Sequence, residues 1–165
     1  MLGADTHQLS GWWRRVASVL LDGVIVAVPL LAIGLITHAY SAHETRNGRV
    51  LTHVTPAFTI IGLILSVGYL AVTLCRTGGH NGQSLGSQAL GIRVVSDDGQ
   101  PYGPRTFVIR ALLCKFLPGS LIGLLPALGL LLLLLVVLDD LWPLWDSENR
   151  ALHDFVARTH VVRTR

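Results

Sequence analysis

The stretch Trp13-Arg14-Arg15-Val16-Ala17-Ser18-Val19-Leu20-Leu21-Asp22-Gly23-Val24-Ile25-Val26 decides the architecture. Two arginines stand at the mouth of a long apolar run, and an aspartate follows inside it. From Val16 to Ile36 only Ser18 and Asp22 interrupt the apolar character. A helix of that length crosses a hydrocarbon core of about 30 Å. A carboxylate at that depth costs about 3 kcal/mol on insertion scales, so its compensation must come from elsewhere in the chain. Trp12 and Trp13 suit the headgroup layer, where an amphipathic ring has one apolar and one wet side. Pro29 removes a backbone donor and predicts a kink near the middle of the helix. A secretory signal is the poorer reading. Asp22 is foreign to its apolar region, and the run exceeds the usual length of about 7–15 residues.

Composition agrees with a membrane protein. Of 165 residues, 51% are hydrophobic and 14% charged, against about 25% charged in soluble domains. The net charge of +3 is small, and the arginines flank apolar runs instead of forming a stripe, so no nucleic-acid partner is expected. Cys75 and Cys114 lie in apolar sequence and are read as reduced packing residues, without a disulfide framework or a metal pair. His43 and His53 stand ten apart, a spacing that fits no helical or finger-like metal site. The glycines between Gly78 and Gly86 lack both the lysine of a P-loop and a strand-led GxGxxG. No cofactor and no metal are expected.

The remaining segments follow from alternating polarity. Residues 37–56 read as a polar loop, and 57–75 as a second apolar span with Gly62, Ser66 and Gly68 as small contact residues. Residues 76–105 form a polar loop in which Ile92-Arg93-Val94-Val95, ending in Asp98-Gly99, signals a hairpin. Phe116 to Leu138 is uncharged and fits either one crossing or part of a helical hairpin over 106–124 and 127–145, turning near Pro126. Arginine placement favours the hairpin. Arg14, Arg15, Arg76, Arg93, Arg105, Arg150, Arg158, Arg163 and Arg165 share one side if the chain crosses four times but not if it crosses three, and the 37–56 loop keeps Arg46 and Arg49. Lys115 then falls within the third span. An interfacial helix at 104–117 followed by a re-entrant hairpin keeps the same sidedness, and three crossings remain the competing count. A short helix is expected at about 149–157, and Thr159 to Val162 has strand character suited to pairing with Ile92 to Val95. The expected fold is an all-α membrane protein over residues 1–165. It is a bundle of about four transmembrane segments (16–37, 57–75, 106–124, 127–145) with a small cytoplasmic β-hairpin element, a cytoplasmic loop at 76–105 and a cytoplasmic tail at 146–165.

Three motifs together resemble the RDD family of small bacterial membrane proteins. They are Arg15 with Asp22 seven residues on; Gly82-Gln83-Ser84-Leu85-Gly86 leading into Leu90-Gly91-Ile92-Arg93-Val94-Val95; and Asn149-Arg150-Ala151-Leu152-His153-Asp154 with Thr159-His160-Val161-Val162. The resemblance covers nearly the whole chain. It implies that the arginine and two aspartates of the family's name are Arg15, Asp22 and Asp154. Ser87-Gln88 stand where members often carry a basic pair. The resemblance implies a multi-pass protein of the bacterial inner membrane, here read with both termini cytoplasmic, and no settled chemistry.

Arg15 and Asp22 are two helical turns apart on one face, about 10 Å along the axis. Asp22 leans back along the helix while Arg15 reaches for the headgroups, so a direct pair is not expected. Arg110 or Lys115 is the expected partner of Asp22, and Arg15 that of Asp154. Asp139 and Asp140 read as interfacial. His153-Asp154 suggests acid–base chemistry, but no nucleophile or metal cluster accompanies it, so no enzyme is expected. The expected role is a non-catalytic partner or assembly component in the membrane. Its partners are the lipid bilayer and either further copies or other membrane proteins. The alternative is proton- or monovalent-cation-coupled transport through Asp22.

Overall fold

The computed structural model describes residues 8–44, 50–111 and 126–164. Helix α1 (Trp12–Ile36) starts four residues earlier than the apolar run suggests, so both arginines belong to it, and it continues through Pro29. Its apolar side chains face outward, with Leu20 65% and Val28 62% exposed, as expected of a helix that meets lipid instead of a soluble core. Helix α2 (Pro56–Leu74) begins at a proline whose fixed φ suits the first helical position. It runs antiparallel to α1: Asp22 meets Tyr69, and the backbone at Gly62 approaches Leu30. Both helices are long and apolar enough to cross a membrane. Helix α5 (Pro126–Leu141) is a third apolar rod, closed by a 3-10 turn at Trp142–Leu144.

Between α2 and α5 lie α3 (Leu85–Ala89), β3 (Ile92–Ser96) and α4 (Pro104–Phe107), whose winding continues in a wider form through Ala111. The expected span 106–124 therefore has a described start, and residues 112–125, including Cys114 and Lys115, lie outside the described residues. The tail folds as α6 (Leu152–Ala157) and β4 (Thr159–Arg163). Cys75 carries no disulfide.

Two expectations need correction. Residues 37–56 are not simply a loop: β1 (Tyr40–Glu44) and β2 (Val50–Val54) pair antiparallel, from Tyr40 opposite Val54 to Glu44 opposite Val50. Asp98-Gly99 does turn the chain, with Gly99 at φ +73°, but no local hairpin follows. Gln100 leads into Pro101 and Pro104, and prolines cannot donate to a ladder. β3 pairs instead with β4, Ile92 opposite Arg163 and Ser96 opposite Thr159, the long-range pairing that the β-branched tail invites. Leu9 adds a bridge to Val162 on the outer edge.

One face of this sheet builds the core. Ile92, Val94 and Val161 pack with Tyr102, Phe107 and Ala111, and the last turns of α2 (Val67, Leu70, Ala71, Leu74) close over them. Burying each large apolar side chain here contributes about 1.5–3 kcal/mol. The core thus sits where α1 begins and α2 ends, next to both motif aspartates.

Candidate functional site: two motif carboxylates

Asp154 is fully buried in the first turn of α6. Arg15 Nη1 donates to its Oδ2 at 2.7 Å, and Arg110 Nη2 lies 2.9 Å from Oδ1. The Ala151 N–H donates to Oδ2 at 3.1 Å, tying off the start of α6, and Thr159 Oγ1 donates to Oδ1 at 3.3 Å. Burial alone would raise this carboxyl. The opposing charges of Arg110 and Arg15 outweigh it and hold the group ionised, well below the usual carboxylate range.

His153 extends the cluster. Its backbone N–H donates to Asp139 Oδ1 at 2.8 Å, and its Nδ1 lies 2.7 Å from Asp139 Oδ2. Its Nε2 faces Arg110 Nη2 at 3.3 Å. A guanidinium nitrogen can only donate, so Nε2 carries the lone pair and Nδ1 the proton given to Asp139. Burial pushes this histidine below its ordinary value, in keeping with a neutral ring. Asp139, expected at the interface, is 7% exposed. Arg15, Arg110, Asp139, His153 and Asp154 come from four separate segments. Together they bolt the tail to the start of α1, the end of α5 and the stretch after α4.

Asp22 stands in a different environment. Tyr69 Oη donates to Oδ1 at 2.6 Å, the Gly86 N–H to Oδ1 at 2.8 Å and Ser84 Oγ to Oδ2 at 2.5 Å. Ser87 Oγ lies 2.9 Å from Ser84 Oγ, and Ser18 Oγ 2.9 Å from Ser87 Oγ, so a row of hydroxyls leads from α1 back to the carboxylate. These donors are all neutral. The expected pair with Arg110 is not formed, because Arg110 is engaged by Asp154; Lys115 lies outside the described residues.

The sequence motif Gly82-Gln83-Ser84-Leu85-Gly86 explains itself here. Ser84 caps α3 by accepting from the Ser87 N–H. A Cβ at Gly86 would stand 2.4 Å from the Ser18 carbonyl oxygen and 2.9 Å from Asp22 Oδ1, so only glycine lets α3 reach α1. Gln83 donates to the Ile92 carbonyl at 2.8 Å, and Gly82, at φ +73°, accepts from the Val94 N–H at 2.9 Å. The motif joins the Asp22 site to the sheet. The contacts of Tyr69, Ser84 and Ser87 around Asp22, and of Asp139 with His153, are what residue-by-residue reading misses. Among the described residues no group of His, Cys, Asp and Glu is arranged to hold a metal.

Comparison with known proteins bears on the whole chain. It is 28% identical over 160 residues to the uncharacterized protein YckC of Bacillus subtilis (strain 168), covering 96% of this chain and 87% of that one. It is 24% identical over 164 residues to YxaI of the same strain, also described as uncharacterized, covering 93% and 96%. No solved structure matches. The RDD family model matches residues 9–158, a range that takes in both carboxylate sites and the β3 strand, and with two exposed apolar helices this points to a membrane protein. The chain belongs to the RDD family.

Proposed function

We propose that this protein is a non-catalytic, multi-pass component of the bacterial inner membrane that works by joining other membrane proteins or further copies of itself. The observation that carries the reading is where the polar groups go. Arg15, Arg110, His153 and Asp154 engage one another, and Asp22 is enclosed by hydroxyls and an amide, so the motif residues face inward. What the molecule offers outward along α1, α2 and α5 is apolar side chain, such as Leu20, Ile64 and Leu134. Four spans with both termini cytoplasmic suit this arrangement. The arginine-bearing segments then gather on one side, as the positive-inside tendency requires, and the β1–β2 hairpin lies on the other.

A second reading has its own support. Asp22 is a carboxylate in an apolar helix whose named partners carry no positive charge, and such groups recur in proton and cation relays. The deciding experiment is proton movement in everted vesicles on addition of sodium, potassium or lithium, comparing wild type with Asp22→Asn at matched protein levels. The joining role predicts no flux above empty vesicles. Cation-dependent flux that disappears in Asp22→Asn would overturn it in favour of transport.

A further inference from the structure

A cavity of about 310 Å³ lies between the first turns of α1, the end of α2 and the β3–β4 sheet. Its wall is largely aliphatic, with Val16, Val19, Leu70 and Leu74 on the helix side. It has room for about ten water-sized groups. Two of its lining residues, Arg15 and Tyr102, carry hydrogen-bonding atoms with no protein partner among the described residues: Arg15 Nε and Nη2, and Tyr102 Oη. Tyr102 is only 2% exposed. Burial pushes its hydroxyl up to about 12, so it keeps its proton and remains a donor. Buried donors left unmade cost about 1–3 kcal/mol each, so an occupant that supplies oxygen is favoured over one that supplies only carbon.

Charge narrows the occupant. Arg15 and Arg110 already face Asp154, and Asp22 lines the same space. The two guanidiniums are thus matched by two carboxylates, with no surplus positive charge. An anion entering would find no uncommitted cation; a neutral carbonyl needs only the free N–H and O–H donors. We infer that the cavity binds one acyl ester of a lipid, its uncharged carbonyl oxygen accepting from Tyr102 and Arg15 and its chain lying along Val16, Val19, Leu70 and Leu74. This binding site does not depend on whether the protein joins partners or moves ions.

The test uses the full-length protein in dodecyl maltoside, freed of co-purifying lipid, with thermal unfolding as the readout. 1-Mono-oleoylglycerol is expected to raise Tm saturably. Oleate, which has the same chain on a carboxylate, should bind at least tenfold more weakly. Val19→Trp fills the cavity from an exposed position and should abolish the shift; Tyr102→Phe should weaken ester binding about fivefold while leaving the unliganded Tm near wild type. Dioleoylphosphatidylcholine is the second probe. A shift with both lipids makes the bilayer's own ester chains the source, and a shift with the monoglyceride alone makes it a free glyceride. A rise that does not saturate or is equal in Val19→Trp overturns the site. Oleate binding as tightly as the ester, or an unchanged affinity in Tyr102→Phe, overturns the assignment of its polar end.

Discussion

Asp154 is fully buried and Asp22 half-buried, and both belong to the same family motif, yet they are held in opposite ways. Asp154 has two guanidinium partners and lies in the tail, beside the sheet. Asp22 lies within an apolar helix and is held by two hydroxyls and one backbone N–H. The difference teaches where each cost falls. Beside the sheet, two cations and a carboxylate are brought together and their mutual attraction offsets their desolvation. Within the apolar helix, each added ion would bring its own desolvation cost, and neutral donors stabilise a carboxylate without it.

The largest effect should come from Asp154→Asn. It leaves two buried guanidiniums facing a neutral group and should destabilise the protein by about 3–5 kcal/mol, read as lost abundance and an earlier unfolding transition in detergent. Arg15→Ala should fall in the same class, since it uncovers Asp154 from one side. Normal abundance with lost function in either variant would sink the structural role of the cluster.

Asp22→Asn should cost less, about 1–3 kcal/mol, because the amide oxygen still accepts from Tyr69 and Gly86 and only Ser84 must turn its proton toward Ser87 so that its oxygen accepts from the new amide. If its cost equals that of Asp154→Asn, the contrast between the two carboxylates breaks down and Asp22 has a cationic partner. Gly86→Ala sharpens the point from the opposite side. It leaves every charge in place but drives a methyl group into the Ser18 carbonyl, and a loss of about 1–3 kcal/mol should follow.

The smallest effect is a slope with pH. His153 is depressed by burial, so between its folded value and its unfolded value of about 6.5 the unfolded chain binds a proton that the folded one refuses. Stability should therefore fall as pH drops below about 6.5, by at most about 1.4 kcal/mol per unit. His153→Gln should flatten that slope. Asp154 is depressed too, so its contribution is present above about 3.9, its unfolded value, and is lost as pH falls toward its folded one. A slope between pH 7 and 5.5 that survives in His153→Gln would place the titrating group elsewhere.

Much of this was legible from the residues, and the misses have physical reasons. The Arg15–Asp154 contact and the β3–β4 pairing follow from charge and from β-branched patterning. Asp98-Gly99 carried a hairpin signal that the prolines after it deny. The β1–β2 pair left a trace in the alternating Val50, Thr52 and Val54 and in Asn47-Gly48, but three histidines and two arginines nearby read as a solvated loop. The surroundings of Asp22 were the hardest to foresee. A charge invites a search for its opposite, whereas Tyr69, Ser84 and a glycine that bares its N–H carry no charge to find.

The β3–β4 pairing also sets the order of events during synthesis. Ile92–Ser96 has its partner strand only once Thr159–Arg163 has been made, and Leu9 docks only on that finished edge. At about 5–20 residues per second, the ribosome leaves the inner strand and the apolar residues behind it waiting for several seconds. Asp154, in the same late segment, also arrives after Arg15 and Arg110 are in place. A chain cut short before its last turn of helix and strand would expose an open sheet edge and two uncovered arginines. Transiently exposed strand edges of this kind favour aggregation, so the tail is the last piece to close both the sheet and the charge cluster.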